Sequence, residues 1–106
     1  MARALLTVPK TVRRGEVFEI RALIGHPMES GFRAGPEGKV QPRDIIQRFN
    51  CRYNGEQVFS AELYSAISAN PYLVFHTLAT ESGTLEFEWQ GDNGFAQTER
   101  VPISVT

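Results

Sequence analysis

The sequence lacks the residues for an internal disulfide, a membrane-spanning helix or a large net charge. Its single cysteine among 106 residues cannot form an internal disulfide, so cysteine usage leaves the cellular compartment open. No apolar run approaches the roughly 20 residues of a membrane-spanning helix. The formal net charge of −1 argues against a nucleic-acid backbone as partner, because such partners favour a basic face. The remaining composition is ordinary for one globular domain covering residues 1–106.

The N-terminal segment lacks the features of an export signal. Its apolar stretch before Pro9 is too short for a signal peptide. Arg13-Arg14 resembles a twin-arginine signal, but charged residues interrupt the segment that should follow it uncharged. We therefore expect Arg13-Arg14 to lie in a solvated turn.

The clearest structural signal is a hairpin over Thr84–Val105. Leu85, Phe87 and Trp89 alternate with polar residues, which is typical of a strand with one buried face. Gly91–Gly94 can reverse the chain, because glycine and asparagine tolerate positive φ. The returning strand repeats the alternation with Val101, Ile103 and Val105.

Similar alternation predicts further strands, and Asn54-Gly55 predicts a type I′ hairpin turn between two of them. Tyr64–Asn70 is expected to form a single helical turn that stops before Pro71. The sequence therefore predicts an all-β protein, an immunoglobulin-like antiparallel β-sandwich of about seven strands. The additional strands are predicted over Arg3–Val8, Val17–Ile24, Asp44–Tyr53, Val58–Leu63 and Tyr72–Ala79.

Gly25–Arg43 interrupts this pattern with four glycines and three prolines. Its apolar residues follow neither the two-residue period of a strand nor the 3.6-residue period of a helix. Regular structure is not expected there. Loops of this length inside a compact domain are usually functional or mobile. The first half carries apolar residues that solvent would not favour, and the second half is charged and glycine-rich.

No set of residues predicts a catalytic or cofactor site, so a binding module is favoured over an enzyme. A blue-copper centre would need ligands such as His26, Met28, Cys51 and His76, but their order is not that of a cupredoxin. We expect no metal and no cofactor, with a cupredoxin-like electron-transfer protein as an alternative. Cys51 shares its phase with apolar residues and is expected to be a buried structural thiol, with a pairing or redox-sensor role as the alternative. His76 is expected to be a hydrogen-bonded structural or interface histidine.

Several short motifs, in this order along the chain, give a resemblance to a known family. They are Val8-Pro9-Lys10, Arg14-Gly15-Glu16, His26-Pro27-Met28-Glu29-Ser30-Gly31, Pro42-Arg43-Asp44-Ile45-Ile46, Tyr53-Asn54-Gly55, Asn70-Pro71-Tyr72, Phe75-His76-Thr77, Glu81-Ser82-Gly83-Thr84-Leu85 and Asp92-Asn93-Gly94. Together they cover essentially the whole chain. The sequence resembles the SoxZ family, the Z subunits of the bacterial SoxYZ thiosulfate-oxidation carrier.

The resemblance implies an immunoglobulin-like, non-catalytic subunit that forms a heterodimer with a SoxY-type subunit. In that family the Y subunit carries sulfur intermediates on a cysteine in a C-terminal arm, and Sox enzymes act on them in turn. The resemblance also implies a periplasmic location, reached by export with the signal-bearing partner. The last residues here contain no cysteine and no glycine-rich tail, in agreement with this division of roles.

We expect the partner-binding surface to combine a sheet face or edge with the loop Gly25–Arg33. The candidate contact residues are Met28, Phe32, Tyr72 and Phe75 as apolar anchors, with His26, Glu29 and Arg43 as polar contacts. The same loop could instead dock the Sox enzymes transiently. An isolated chain is expected to self-associate if its partner surface is apolar and exposed. A generic immunoglobulin-like binding module is the broader alternative.

Overall fold

The computed structural model describes residues 2–106 as two β-sheets packed face to face. One sheet has three strands in the order β1-β3-β6, and the other has five in the order β2-β8-β7-β4-β5. The strands are β1 (Ala4–Thr7), β2 (Thr11–Val12), β3 (Val17–Ile24), β4 (Ile46–Tyr53), β5 (Glu56–Glu62), β6 (Tyr72–Leu78), β7 (Gly83–Gly91) and β8 (Ala96–Val105). The predicted immunoglobulin-like sandwich is confirmed. It differs from the prediction in the short β2, which pairs with β8 in parallel.

The core forms where the inward phases of the two sheets meet. Phe18, Ile20, Ala22 and Ile24 of β3 are buried, as are Leu85, Phe87 and Trp89 of β7, all as the alternation predicts. At the centre, the Phe49 ring of β4 contacts rings from both sheets. Its centroid lies 5.8 Å from that of Phe75 and 5.3 Å from that of Trp89. Burying apolar side chains of this size is worth about 1.5–3 kcal/mol each, so this layer dominates stability.

The local turn chemistry also follows the sequence. Asn54 and Gly55 have φ values of 49° and 84°, the pair of positive angles that a type I′ turn requires. Tyr64–Asn70 does not form a helix. Its only regular feature is one turn closed by the hydrogen bond from the Ile67 N–H to the Tyr64 C=O, and Asn70 before Pro71 has a φ of 55°. Among residues 2–106, no helix is long and apolar enough to cross a membrane.

Tyr53 at the end of β4 holds the connection from β6 to β7 by hydrogen bonds. Its hydroxyl accepts hydrogen bonds from the backbone N–H groups of Thr80 and Glu81, each at 3.2 Å. The same hydroxyl donates to the Glu81 carbonyl. One phenol therefore satisfies three backbone groups of the segment that joins β6 to β7.

Cys51 lies in the middle of β4 with no exposed surface, between Phe59 of β5 and Phe87 of β7 in the pairing register. Burial raises the pKa of its thiol to about 12, because the interior disfavours the thiolate. The expectation of a buried structural thiol is confirmed.

The Tyr53→Phe substitution should lower the free energy of unfolding by about 1–3 kcal/mol, because it leaves backbone donors without an acceptor. Urea unfolding monitored by tryptophan fluorescence measures this difference. The slope of the unfolding free energy against urea concentration should stay the same. Tyr64→Phe is the matched control, because the exposed Tyr64 hydroxyl bonds only the Glu62 carboxylate. It should change stability by less than about 0.5 kcal/mol. Equal effects of the two substitutions would contradict this role for Tyr53.

The Cys51 thiol should not react with a thiol reagent such as DTNB while the protein is folded. With its pKa raised to about 12, roughly one thiol in ten thousand would be ionised at pH 8. One equivalent should react promptly after unfolding in guanidinium chloride. Rapid labelling of the native protein at pH 8 would contradict the buried position.

Candidate partner-binding surface

The outer face of the three-stranded sheet carries an unusual number of exposed apolar side chains. We call it the apolar face, defined by Leu5, Val17, Tyr72, Val74 and Leu78. Val17 is 65% exposed and Tyr72 is 53% exposed, although both lie in regular strands. The register places Val17 opposite Leu78 at one end of the face. At the other end, Leu23 lies between Leu5 and Tyr72.

The outer face of the five-stranded sheet has the opposite character. Arg52 of β4 lies 3.6 Å from carboxylate oxygens of Glu86 and Glu88 on β7. Arg100 of β8 pairs with Glu86 at 2.9 Å. None of the large exposed apolar residues of the described chain lies on this face. The charged face suits water, whereas an apolar patch of several hundred Å² typically marks an interaction site.

A polar band crosses the middle of the apolar face. Glu19 and His76 are directly opposite each other on β3 and β6, with 3.6 Å between carboxylate and imidazole. The Arg21 guanidinium donates to the same carboxylate. This hydrogen bond is the main reason why the pKa of Glu19 lies below its usual value. His76 therefore lies beside a carboxylate that sequence proximity did not reveal, although 3.6 Å is longer than a hydrogen bond.

Within the segment predicted to be irregular, residues 29–44 fold back on themselves as an arm. Glu29 and Asp44 form an antiparallel bridge at its base, with both backbone hydrogen bonds at 2.8 Å. Ala34 and Val40 form a second bridge near its tip, beside a 3₁₀ turn over Pro36–Gly38. As predicted, the segment contains no strand, and the two bridges hold its irregular chain in an ordered shape.

The arm lengthens the molecule. The extents along the principal axes are 59, 20 and 19 Å, so the arm continues the long axis and does not project sideways. The radius of gyration is 16.1 Å, against about 13 Å for a typical domain of this length. Phe32 on this arm is 83% exposed, and Val40 is also exposed.

The root of the arm is packed firmly into the sandwich. The buried Met28 sulfur accepts the Ile46 N–H at 3.2 Å, and the Met28 N–H donates to Nδ1 of His26 at 3.0 Å. The His26 ring is itself buried and meets the Phe95 ring edge-on, with centroids 5.1 Å apart. The segment that enters the arm is thereby held between the two sheets.

Asp92 in the β7–β8 turn holds the returning side of the arm. Its carboxylate accepts two hydrogen bonds of 2.9 Å from the Arg43 guanidinium and one of 3.1 Å from the Ile45 N–H. The Arg43 guanidinium, followed by the Ile45 N–H, lowers the pKa of Asp92. Near the base of the arm, Glu29 pairs with Arg33, and this hydrogen bond lowers the pKa of Glu29.

The structure divides the seven predicted contact residues into three groups. His26, Met28 and Phe75 are buried inside this chain, where ring packing and hydrogen bonds occupy them. Glu29 and Arg43 are partly exposed but already engaged with Arg33 and Asp92. Phe32 and Tyr72 are free at the surface. Sequence reasoning missed the other members of the apolar face, although Val17 shares a predicted outward phase.

The four candidate copper ligands are separated in the fold. His26 and Met28 lie at the root of the arm, Cys51 faces the core from β4, and His76 projects from the outside of the other sheet. Within residues 2–106, no three His, Cys, Asp or Glu side chains form a cluster that could hold a metal ion.

Comparison with solved structures identifies the same fold in proteins of very different sequence. Superoxide reductase (neelaredoxin) from Ignicoccus hospitalis is 17% identical with a TM-score of 0.77, covering 99% of this chain and 82% of that one. A putative superoxide reductase from Thermotoga maritima is 14% identical with a TM-score of 0.73, covering 97% and 85%. The sulfur carrier protein SoxY from Chlorobium limicola f thiosulfatophilum is 10% identical with a TM-score of 0.68, covering 97% and 78%. At these identities the likeness is one of fold alone.

Comparison of the sequence itself is more specific. No curated protein matches the chain at a significant level. The family model for the sulphur oxidation protein SoxZ matches residues 6–102, which is nearly the whole chain. Only the start of β1 and the end of β8 lie outside the matched range. The chain therefore belongs to the SoxZ family of sulphur oxidation proteins.

Proposed function

We propose that the protein is the non-catalytic Z subunit of a SoxYZ-type sulfur carrier and that its apolar face binds a SoxY-type subunit. The observation that carries the proposal is the apolar face itself, found in a member of the SoxZ family. Five large apolar side chains on one sheet face are costly to leave in water. A stable partner would cover them, and the polar band of Glu19, Arg21 and His76 would restrict which partners fit.

In this role the chain supports the subunit that carries the sulfur and adds no reactive group of its own. The only thiol is buried in the core, where its raised pKa disfavours the nucleophilic thiolate. The proposal also includes thiosulfate oxidation as the pathway and the periplasm as the location, with export alongside the partner. Family membership is what supports these two parts.

The arm gives the proposed subunit a second surface, for the Sox enzymes that act on the carrier. Phe32 is its most exposed aromatic residue and lies away from the sandwich. A single aromatic anchor suits a transient contact, because transient interfaces are small and rely on few residues. We therefore assign the apolar face to the permanent partner and the arm to passing enzymes.

Mixing the chain with the SoxY-type protein from the same genome should give a stable one-to-one complex. Size exclusion coupled to light scattering measures its mass directly. Tyr72→Asp should weaken the complex at least tenfold, because it places a charge on the apolar face. The matched control is Thr98→Asp on the charged outer face, which should leave affinity unchanged. Separate elution of two folded proteins at micromolar concentration would contradict the proposal.

Phe32→Asp distinguishes the two surfaces. We expect an intact heterodimer and slower turnover by Sox enzymes when the variant replaces the wild-type chain in a reconstituted system. Loss of the heterodimer would instead assign the arm to the SoxY-type partner. Met28→Asp is unsuitable for this comparison, because the buried sulfur of Met28 holds the arm to β4.

A further inference from the structure

Strand β6 is an open edge of the three-stranded sheet, and the hydrogen-bond pattern shows which of its backbone groups are free. The Ala79 N–H bonds the Glu16 C=O, and the Ile24 N–H bonds the Pro71 C=O. These two pairs flank the β3–β6 ladder in the same register. In an antiparallel ladder, hydrogen-bonded and non-hydrogen-bonded pairs alternate.

This alternation fixes the direction of every backbone group in β6. Leu73, Phe75 and Thr77 bond to β3. The N–H and C=O groups of Tyr72, Val74, His76 and Leu78 therefore point away from β3 towards the free edge. Among residues 2–106, these four form no backbone hydrogen bond to any other segment.

The other sheet edges are protected in ways that β6 is not. Strand β5 has Glu56 and Glu62 at its two ends, and its ladder with β4 is interrupted at Cys51 and Arg52. Strand β1 has four residues and β2 has two. Strand β6 runs for seven residues in unbroken register, without proline, Lys, Arg, Asp or Glu. Proteins usually blunt such an edge unless another strand is meant to pair with it.

We propose that β6 is a strand-addition site and that its occupant is an edge strand of the SoxY-type subunit. This inference rests on the proposed function and specifies how the partner is recognised. The edge is continuous with the apolar face, because Tyr72, Val74 and Leu78 belong to both. A partner seated on that face already lies alongside β6, where its own strand meets the free backbone groups.

The size of the face supports this mode of binding. Seven paired residues and three strands give a footprint of about 24 by 14 Å, on the order of 350 Å². A standard interface uses about 800 Å² from each partner. Contacts beyond the face are therefore needed, and the β6 edge borders it directly. Main-chain pairing also fixes the register of the partner, which apolar side chains alone do not.

Amide exchange followed residue by residue by NMR tests the inference in the intact complex. In the free chain, the amides of Leu73, Phe75 and Thr77 should exchange slowly, and those of Tyr72, Val74, His76 and Leu78 should exchange fast. In the complex, the outward-facing amides engaged by the partner strand should slow by at least tenfold, giving protection on both sides of β6. A complex in which all four outward amides keep their free-chain rates would overturn the inference.

A pair of substitutions at Val74 provides an independent test. Val74→Pro removes an N–H that points away from β3, so the internal ladder keeps its bonds, and proline is tolerated on such an edge. We expect it to weaken the complex at least a hundredfold. Val74→Thr keeps the N–H and the β-branched shape and should weaken it less than fivefold. Equal affinities of the two folded variants would overturn the inference. If Val74→Pro does not fold, the exchange pattern decides alone.

The outcomes separate this inference from the proposed function. A one-to-one complex without new protection at β6 overturns only the strand addition. If no complex forms, both fail, because the inference names that partner. A homodimer with protected β6 amides, and no complex with the SoxY-type protein, would assign the edge to a second copy and overturn the inference.

Discussion

The packing of Phe49 against Phe75 is the contact on which the rest of the structure depends. It joins β4 of the larger sheet to β6 of the smaller one, and Phe59 stacks on the same Phe75 ring with centroids 4.2 Å apart. Because side chains alternate along a strand, fixing Phe75 inward forces Val74 and His76 outward. The apolar face and the direction of the free β6 backbone groups follow from that one phase. If β6 shifted by one residue in its register, its inward and outward side chains would change places.

Much of the fold could be predicted from the sequence because its strands alternate clearly. In β3 and β7 the large apolar side chains of one phase are all buried, and the turn at Asn54-Gly55 requires a conformation that few other residue pairs adopt. In β6 the signal fails. Both phases carry large apolar residues, so alternation alone cannot say whether Phe75 or Tyr72 faces the core. That choice is made by aromatic partners from distant strands, and it determines which residues can contact another protein.

The arm was less predictable for a different reason. Burial of Met28 depends on β4 lying beside it, and the engagement of Arg43 depends on Asp92, far along the chain. Neither contact has a period in the sequence. Loop residues that look like free anchors or polar contacts can thus belong to the scaffold. Of the seven predicted contact residues, Phe32 stays free because it lies on the exposed arm, and Tyr72 because it lies in the outward phase of β6.

The elongated shape has a consequence for how the protein behaves in solution. A particle roughly three times as long as it is wide experiences more friction than a sphere of the same mass. The monomer, at 11.9 kDa, will therefore diffuse and sediment more slowly than a compact protein of its size. Against globular standards its apparent mass will be too high, in the direction of a dimer. The arm that extends one end of the sandwich thus imitates oligomerisation hydrodynamically without any second chain.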